Sequence, residues 1–210
     1  MRDLVLLGGG GHARSVLAAL TLSGEEVRGF IGPDTADRDL SLPHLGGDEL
    51  LDGFDPARTS IVNGLGAVGA RARMHRLAVS RGLTVETVVH PRAFVDPSVR
   101  LGAGAQVLAG AIVNAGAVIG DGVLINSGAI VEHDAVIGDH AHLAPGSVLA
   151  GDVRVGEGAH IGLGSRILQG LTVGSGSTVG AGAVVLTDVP DGTTVVGVPA
   201  RPMRKKDEQP

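Results

Sequence analysis

The chain has 210 residues, 35 of them Gly, with no Cys, Trp or Tyr and 3 Phe. Without Cys there is no disulfide and no thiolate metal site, and so few aromatics do not build a conventional core. A net charge of −5 with no basic stripe argues against nucleic-acid binding, and glycines break every long apolar run, so no membrane span is expected. The apolar start, Met1 to Leu7, is too short for a signal peptide, and a cytoplasmic location is expected.

Residues 3–7 (DLVLL) are an apolar run, followed by Gly8-Gly9-Gly10-Gly11-His12-Ala13 and the helical pattern RSVLAALTLSG. Strands are expected over 26–31 and 59–63, a helix over 67–81 and a strand over 84–89, before His90-Pro91. This alternation implies a small α/β, Rossmann-like domain over residues 1–90. Gly8, Gly10 and Ala13 satisfy G-x-G-x-x-[GA], the dinucleotide fingerprint. The acid that should hold a ribose after the second strand is missing there: the chain reads Phe30-Ile31-Gly32-Pro33, with Asp34 only later. A Gly loop at a helix N-terminus suits any phosphate, so a nucleotide-phosphate site is preferred to NAD, with a purely structural turn as the alternative.

From Phe94 to Val189 the chain divides into sixteen hexads without an insertion, among them IVNAGA, VIGDGV, LINSGA, IVEHDA and VIGDHA. The second place is Val, Leu or Ile every time, from Val95 to Val185, and the sixth is Ala, Ser, Val or Leu. A helix of period 3.6 cannot keep a period of six on one face, whereas short strands joined by tight turns can. Each hexad is then one side of a prism, three sides close a coil, and residues eighteen apart stack at about 4.8 Å. A β-helix is expected over residues 91–200, followed by a charged tail over 201–210.

The hexads resemble those of the bacterial hexapeptide-repeat transferases, and Val196-Gly197-Val198-Pro199-Ala200-Arg201 resembles the segment that closes such domains. The resemblance implies a left-handed coil and a homotrimer with active sites between neighbouring prisms. Three features narrow it to the PglD/NeuD-type sugar acetyltransferases. These are the GGGGHA opening, the segment Ser60 to Gly66, and Ile130-Val131-Glu132-His133-Asp134-Ala135-Val136-Ile137-Gly138. Relatives carry a pair of acids where this chain has Gly32-Pro33.

That resemblance implies an acetyl-CoA-dependent N-acetyltransferase acting on a nucleotide-linked amino sugar in glycan biosynthesis. Gly10, Gly11, His12 and Gly66 would contact that substrate, and His142, Gly151, Leu163 and Ala181 would lie along acetyl-CoA.

Acetyl transfer needs a base and a donor for the developing oxyanion. His133 is the candidate base: imidazole titrates near ~6.5, and its stack neighbours Ala115 and Gly151 are small. Glu132 and Asp134 flank it, and because consecutive residues on a strand point to opposite faces, spacing alone leaves open which one orients the ring. The resemblance favours Asp134 and assigns the Gly151 N–H to the thioester oxygen. The absence of Cys excludes an acyl-cysteine intermediate.

Acetylation of a sialic acid or other sugar hydroxyl is the alternative within this class. His142 and His160 stand one coil apart with His140 nearby, which raises a zinc hydratase of the γ-carbonic-anhydrase kind. Those enzymes show H-x-x-x-x-H, absent here, and no metal is expected. A non-catalytic scaffold is the third reading; it has no use for the Gly-loop domain or for Glu132-His133-Asp134.

Overall fold

The computed structural model describes residues 3–33 and 40–203. Asp34 and residues 204–210 of the expected tail lie outside the described residues.

The first unit is a five-stranded parallel sheet in the order β3-β2-β1-β4-β5. Its elements are β1 (Asp3–Leu7), α1 (Gly11–Leu22), β2 (Val27–Ile31), β3 (His44–Gly46), β4 (Thr59–Asn63), α2 (Val68–Ser80) and β5 (Thr84–Val85). The side chains of β1 alternate between two small cores. Leu4 and Leu6 pack with Ala13, Val16 and Leu20 of α1, while Val5 and Leu7 pack with Met74 and Ala78 of α2. Burial on both faces is why β1 reads as a continuous apolar run. Strand β3 and the 3-10 turn Asp48–Asp52 are additions to the expected set. The Pro and Gly around β3 hide so short a strand from pattern reading.

Residues 84–89 do not form the single strand expected. Strand β5 ends the α/β sheet, and β6 (Val88–Val89) already belongs to the prism, paired with Gln106-Val107. Between them the Glu86 N–H donates to Ile61 O of the first unit and the Val88 N–H to Ala105 O of the second. The prism therefore begins before residue 91, because this segment satisfies its backbone in two sheets by turns.

Sixteen two-residue strands follow, β7 (Phe94–Val95) to β22 (Val184–Val185), each the first two places of a hexad. They stack in parallel into three faces. The first holds Phe94–Val95 and every strand eighteen residues on, such as Ile112↔Ile130 and Ile130↔Val148. The second starts at Arg100–Leu101, and the third at β6, continuing through Gln106, Leu124, His142 and His160. The three faces make the β-helix expected from the hexads.

Second-place aliphatics and sixth-place small residues form the axial core; Val113, Val131 and Leu149 have no exposed surface, nor have Ala117 and Ala135. The fifth place makes the turn. It is Gly with φ near +60° in most hexads, and the three non-Gly residues with positive φ, Asp134, His140 and Asp152, all occupy it. Asp and His are among the side chains that tolerate this region best, at about 1–2 kcal/mol each.

The coil closes with β23 (Thr194–Val196), after which the chain reverses and β24 (Arg201–Pro202) pairs antiparallel with it. The start of the expected tail is thus part of the last sheet. Its N–H and C=O groups cover an edge that the prism leaves unpaired.

Candidate active site

His133 and Asp134 lie at the prism corner between the first and second faces, in the turn after Ile130–Val131. His133 Nδ1 and Asp134 Oδ2 are 2.9 Å apart. An ionised carboxylate only accepts, so Nδ1 carries the proton and Nε2 presents its lone pair. No group among the described residues bonds to that Nε2. Glu132 is engaged elsewhere: its Oε2 accepts from Asn114 Nδ2 at 3.0 Å. The choice left open by spacing falls to Asp134, because its left-handed backbone (φ 61°) swings the carboxylate beside the ring.

The imidazole lies across Gly151, one coil on; a Cβ built there would stand 2.6 Å from both His133 Cε1 and Nε2. The Gly151 N–H donates to no acceptor among the described residues, while the neighbouring Asp152 N–H is used by His133 O at 2.9 Å. The corner thus combines a basic nitrogen, a free amide donor and the gap left by a missing side chain. The hydrogen bond to Asp134, supported by the charges of Asp134, Glu132 and Asp152, raises the His133 pKa above its ordinary value.

At the other end of the structure Gly10 caps α1 without a side-chain bond, leaving its first N–H groups open, and nothing lies within 4 Å of where its Cβ would be. Gly8 has a different use. It needs φ +83°, and a Cβ there would strike Leu65 at 2.6 Å. His12 reaches the third face, where its Nε2 bonds Gln106 Oε1 at 2.9 Å. A Cβ on Gly66 would stand 3.3 Å from His12 Cβ, so these two share one wall. Burial, with the nearby Arg71 charge, lowers the His12 pKa despite the Gln106 bond, leaving the ring neutral at pH 7.

His142 sits on that same third face. Its ring meets His160 edge-on at 4.9 Å, and its Nε2 lies 3.3 Å from Asn126 Nδ2. Burial, with the charges of Arg71, His160 and His12, pushes its pKa down to about 3. His140 does not join this pair but turns into the seam between the units, edge-on to His75 at 5.1 Å. Among the described residues no three His, Asp or Glu side chains converge as a metal site requires.

A corner between two faces of a triangular prism is opposite the third face. One chain therefore keeps His133, Asp134 and Gly151 apart from Gly10, Gly11, His12, Gly66 and His142. Leu163, exposed, and Ala181 occupy yet another corner, between the third and first faces. A cavity of about 680 Å³ lined by Glu25, Glu26, Ser60 and Glu86 contains none of these residues.

The N-terminal unit matches the family model described as PglD N-terminal domain over residues 3–77, and residues 116–151 match Bacterial transferase hexapeptide (six repeats). PerB from Caulobacter crescentus, crystallised with CoA and GDP-perosamine, is 40% identical, with 97% of this chain and 98% of that chain covered at a TM-score of 0.92. The acetyltransferase domain of PglB from Neisseria gonorrhoeae FA1090, in complex with acetyl coenzyme A, is 38% identical over 96% of this chain and 99% of that chain, TM-score 0.92. The chain belongs to the PglD-type hexapeptide-repeat acetyltransferases. WeeI from Acinetobacter baumannii AYE, at 24% identity over 97% of this chain and 100% of that chain (TM-score 0.88), shares the fold. No curated protein matches the chain.

Within this acetyltransferase the residues that sequence reasoning missed are Asn63, Arg71 and Gln106, which join the two units. Gln106 Nε2 donates to Asn63 O, and Asn63 Oδ1 accepts from the Leu65 N–H at 3.1 Å. Arg71 has the one legible signal: it falls on the stripe of α2 that also holds Ala72, Met74, His75 and Ala78, all buried.

Replacing Asp134 separates its two effects on the acetyltransferase. Asp134→Asn removes the partner that raises the His133 pKa, so with His133 as the base the rising limb of kcat/KM is expected to move to lower pH. Asp134→Gly restores the usual turn residue and raises stability by about 1 kcal/mol in urea unfolding while activity falls. An unmoved limb in the first variant, or a loss of stability in the second, refutes the corresponding account.

Proposed function

We propose that the protein transfers acetyl from acetyl-CoA to the amino group of a nucleotide-linked amino sugar for glycan biosynthesis. The amine lone pair attacks the thioester carbonyl, and the C–O double bond opens to an oxyanion that the Gly151 N–H receives. His133 Nε2 takes the proton the amine sheds, with Asp134 holding the resulting imidazolium. Collapse breaks the C–S bond, and His133 returns the proton to the departing thiolate. One observation carries this reading. A His–Asp pair with a free Nε2 lies over an unpartnered amide in a chain 40% identical to an enzyme crystallised with CoA and GDP-perosamine.

The active form is a homotrimer. The acceptor wall at His12 and Gly66 and the base at His133 belong to opposite sides of one prism, so a neighbour must supply one of them. The first face, which borders the His133 corner, turns a column of Phe94, Ile112, Ile130 and Val148 outward, with Phe94 53% exposed. A second copy covers that column and places its own residues against His133. Leu163 and Ala181 of one copy and Gly151 of the next then flank the coenzyme, with His142 beside it. None of the described helices is long and apolar enough to cross a membrane, and the reaction is assigned to the cytoplasm, where acetyl-CoA and nucleotide sugars are supplied.

Thiol release from acetyl-CoA, measured against GDP-, UDP- and dTDP-linked amino sugars including GDP-perosamine, tests the activity. Release with one amino sugar, and an acetamido product by mass spectrometry, is expected. Release only with hydroxyl acceptors replaces the reading by O-acetylation, and no release with either class removes it. Sedimentation equilibrium at three times the chain mass is the expected assembly; a monomer that retains full activity refutes the shared site.

A further inference from the structure

Arg71, on α2, has no exposed surface. Among the described residues its guanidinium donates only to backbone carbonyls. Nε reaches Gly122 O at 3.0 Å, one Nη reaches Gly66 O at 2.9 Å, and the other reaches His140 O at 2.8 Å and Ala141 O at 3.1 Å. No carboxylate among the described residues pairs with it. Burial lowers its pKa to about 10, which leaves it charged at neutral pH. Taking an unpaired guanidinium out of water is costly, and an apolar side chain of similar volume would seal the same seam without that penalty. Packing alone therefore gives no reason for an arginine here.

The accepting carbonyls do give one. Gly66 lies in the loop after β4, against His12, and Ala141 immediately precedes His142 on the prism's third face. Gly122, His140 and Ala141 belong to the neighbouring corner of the same prism. One rigid, planar group thus spans from the expected nucleotide wall to the prism, in a geometry that the single donor point of a lysine cannot copy. The other side of the loop is tied to the same residue: Asn63 Nδ2 donates to Arg71 O at 2.9 Å. The Gln106 amide completes the frame by bonding both Asn63 O and His12 Nε2.

We propose that Arg71 is a positioning residue for the acceptor, fixing the Gly66–His12 wall at a set distance from the third face of the prism. The proposal rests on the acceptor reading given above. It places the acceptor's nucleotide between the Gly loop and a wall that α2 locks to the β-helix. Arg71 itself touches neither reacting group.

The test compares Arg71→Met and Arg71→Lys with the unaltered trimer, measuring KM for the amino-sugar nucleotide and for acetyl-CoA separately. Losing hydrogen bonds from a charged group is expected to raise the nucleotide-sugar KM about tenfold or more in the Met variant. The acetyl-CoA KM should stay within about twofold, because of its expected contacts only His142 adjoins an Arg71 acceptor, Ala141, while Gly151, Leu163 and Ala181 stand at corners that Arg71 does not reach. The Lys variant keeps the charge but not the fork, and falls between the two. Unchanged KM for the sugar, or an equal rise in both KM values, overturns the proposal. If Arg71→Met does not fold, Arg71→Lys alone is judged by the same split.

Calorimetric binding of the nucleotide sugars keeps the two readings apart. Binding without acetyl transfer, weakened in Arg71→Lys, overturns the transferase reading and leaves the positioning role standing. Transfer with unweakened acceptor binding in both variants does the reverse. An unaltered protein that binds no nucleotide sugar overturns both.

Discussion

His133→Ala lowers kcat by about 10²- to 10⁴-fold, the range for removing a positioned general base. The loss belongs to chemistry and not to folding. The side chain is 57% exposed in the single chain, with Asp134 and Gly151 beside it. The backbone bonds of the turn, from the Asp152 N–H to His133 O and from the Asp134 N–H to Ala115 O, survive the substitution. The melting temperature therefore changes little, while single-turnover acetyl transfer slows. The pH profile supplies a second, independent sign. On the proposed mechanism the parent enzyme's kcat/KM is expected to rise as His133 loses its proton, at a pH above the ordinary imidazole value because Asp134 raises it. The residual activity of His133→Ala loses that limb. Full activity, or an unchanged limb, rules out His133 as the base.

The prism was legible because its physics is local. A short strand alternates in and out, a turn needs a residue that accepts positive φ, and both recur every six residues. The fifth place shows how far this goes: Gly fills it through most of the run, and Asp134, His140 and Asp152 mark its departures. Asp134 is the residue that reaches His133, and His140 turns toward His75 and the α/β unit. Two of these departures thus carry contacts outside the pattern of the repeat, one to the imidazole of the candidate site and one to the α/β unit.

What stayed hidden depends on contacts between residues far apart in the chain. Arg71 falls on the stripe of α2 that packs inward, but nothing local names its partners, Gly122 and His140, which fold against it from 51 and 69 residues on. Strand 84–89 reads as one piece because nothing local tells Val85 and Val88 that they serve different sheets. The choice between Glu132 and Asp134 needed the backbone angle that puts one carboxylate beside the ring and leaves the other on Asn114.

Gly151→Ala provides the sharpest test of the corner, because the added atom is small and its position is known. The φ of Gly151 lies outside the left-handed region, so Ala adopts the backbone without strain and the protein should melt as before. The new Cβ nevertheless meets His133 Cε1 and Nε2 at 2.6 Å, and the only group free to yield is the exposed ring. A displacement of about 1 Å breaks the alignment with Asp134 and costs about a hundredfold in kcat. The amide N–H is still present, so the loss isolates the base from the oxyanion donor.

The double variant makes that separation quantitative. In a His133→Ala background there is no ring to displace, and Gly151→Ala should cost little more than His133→Ala alone. If the two losses instead multiply, the Cβ is blocking acetyl-CoA and not moving the imidazole. Gly151 would then be a coenzyme contact without a part in holding the base.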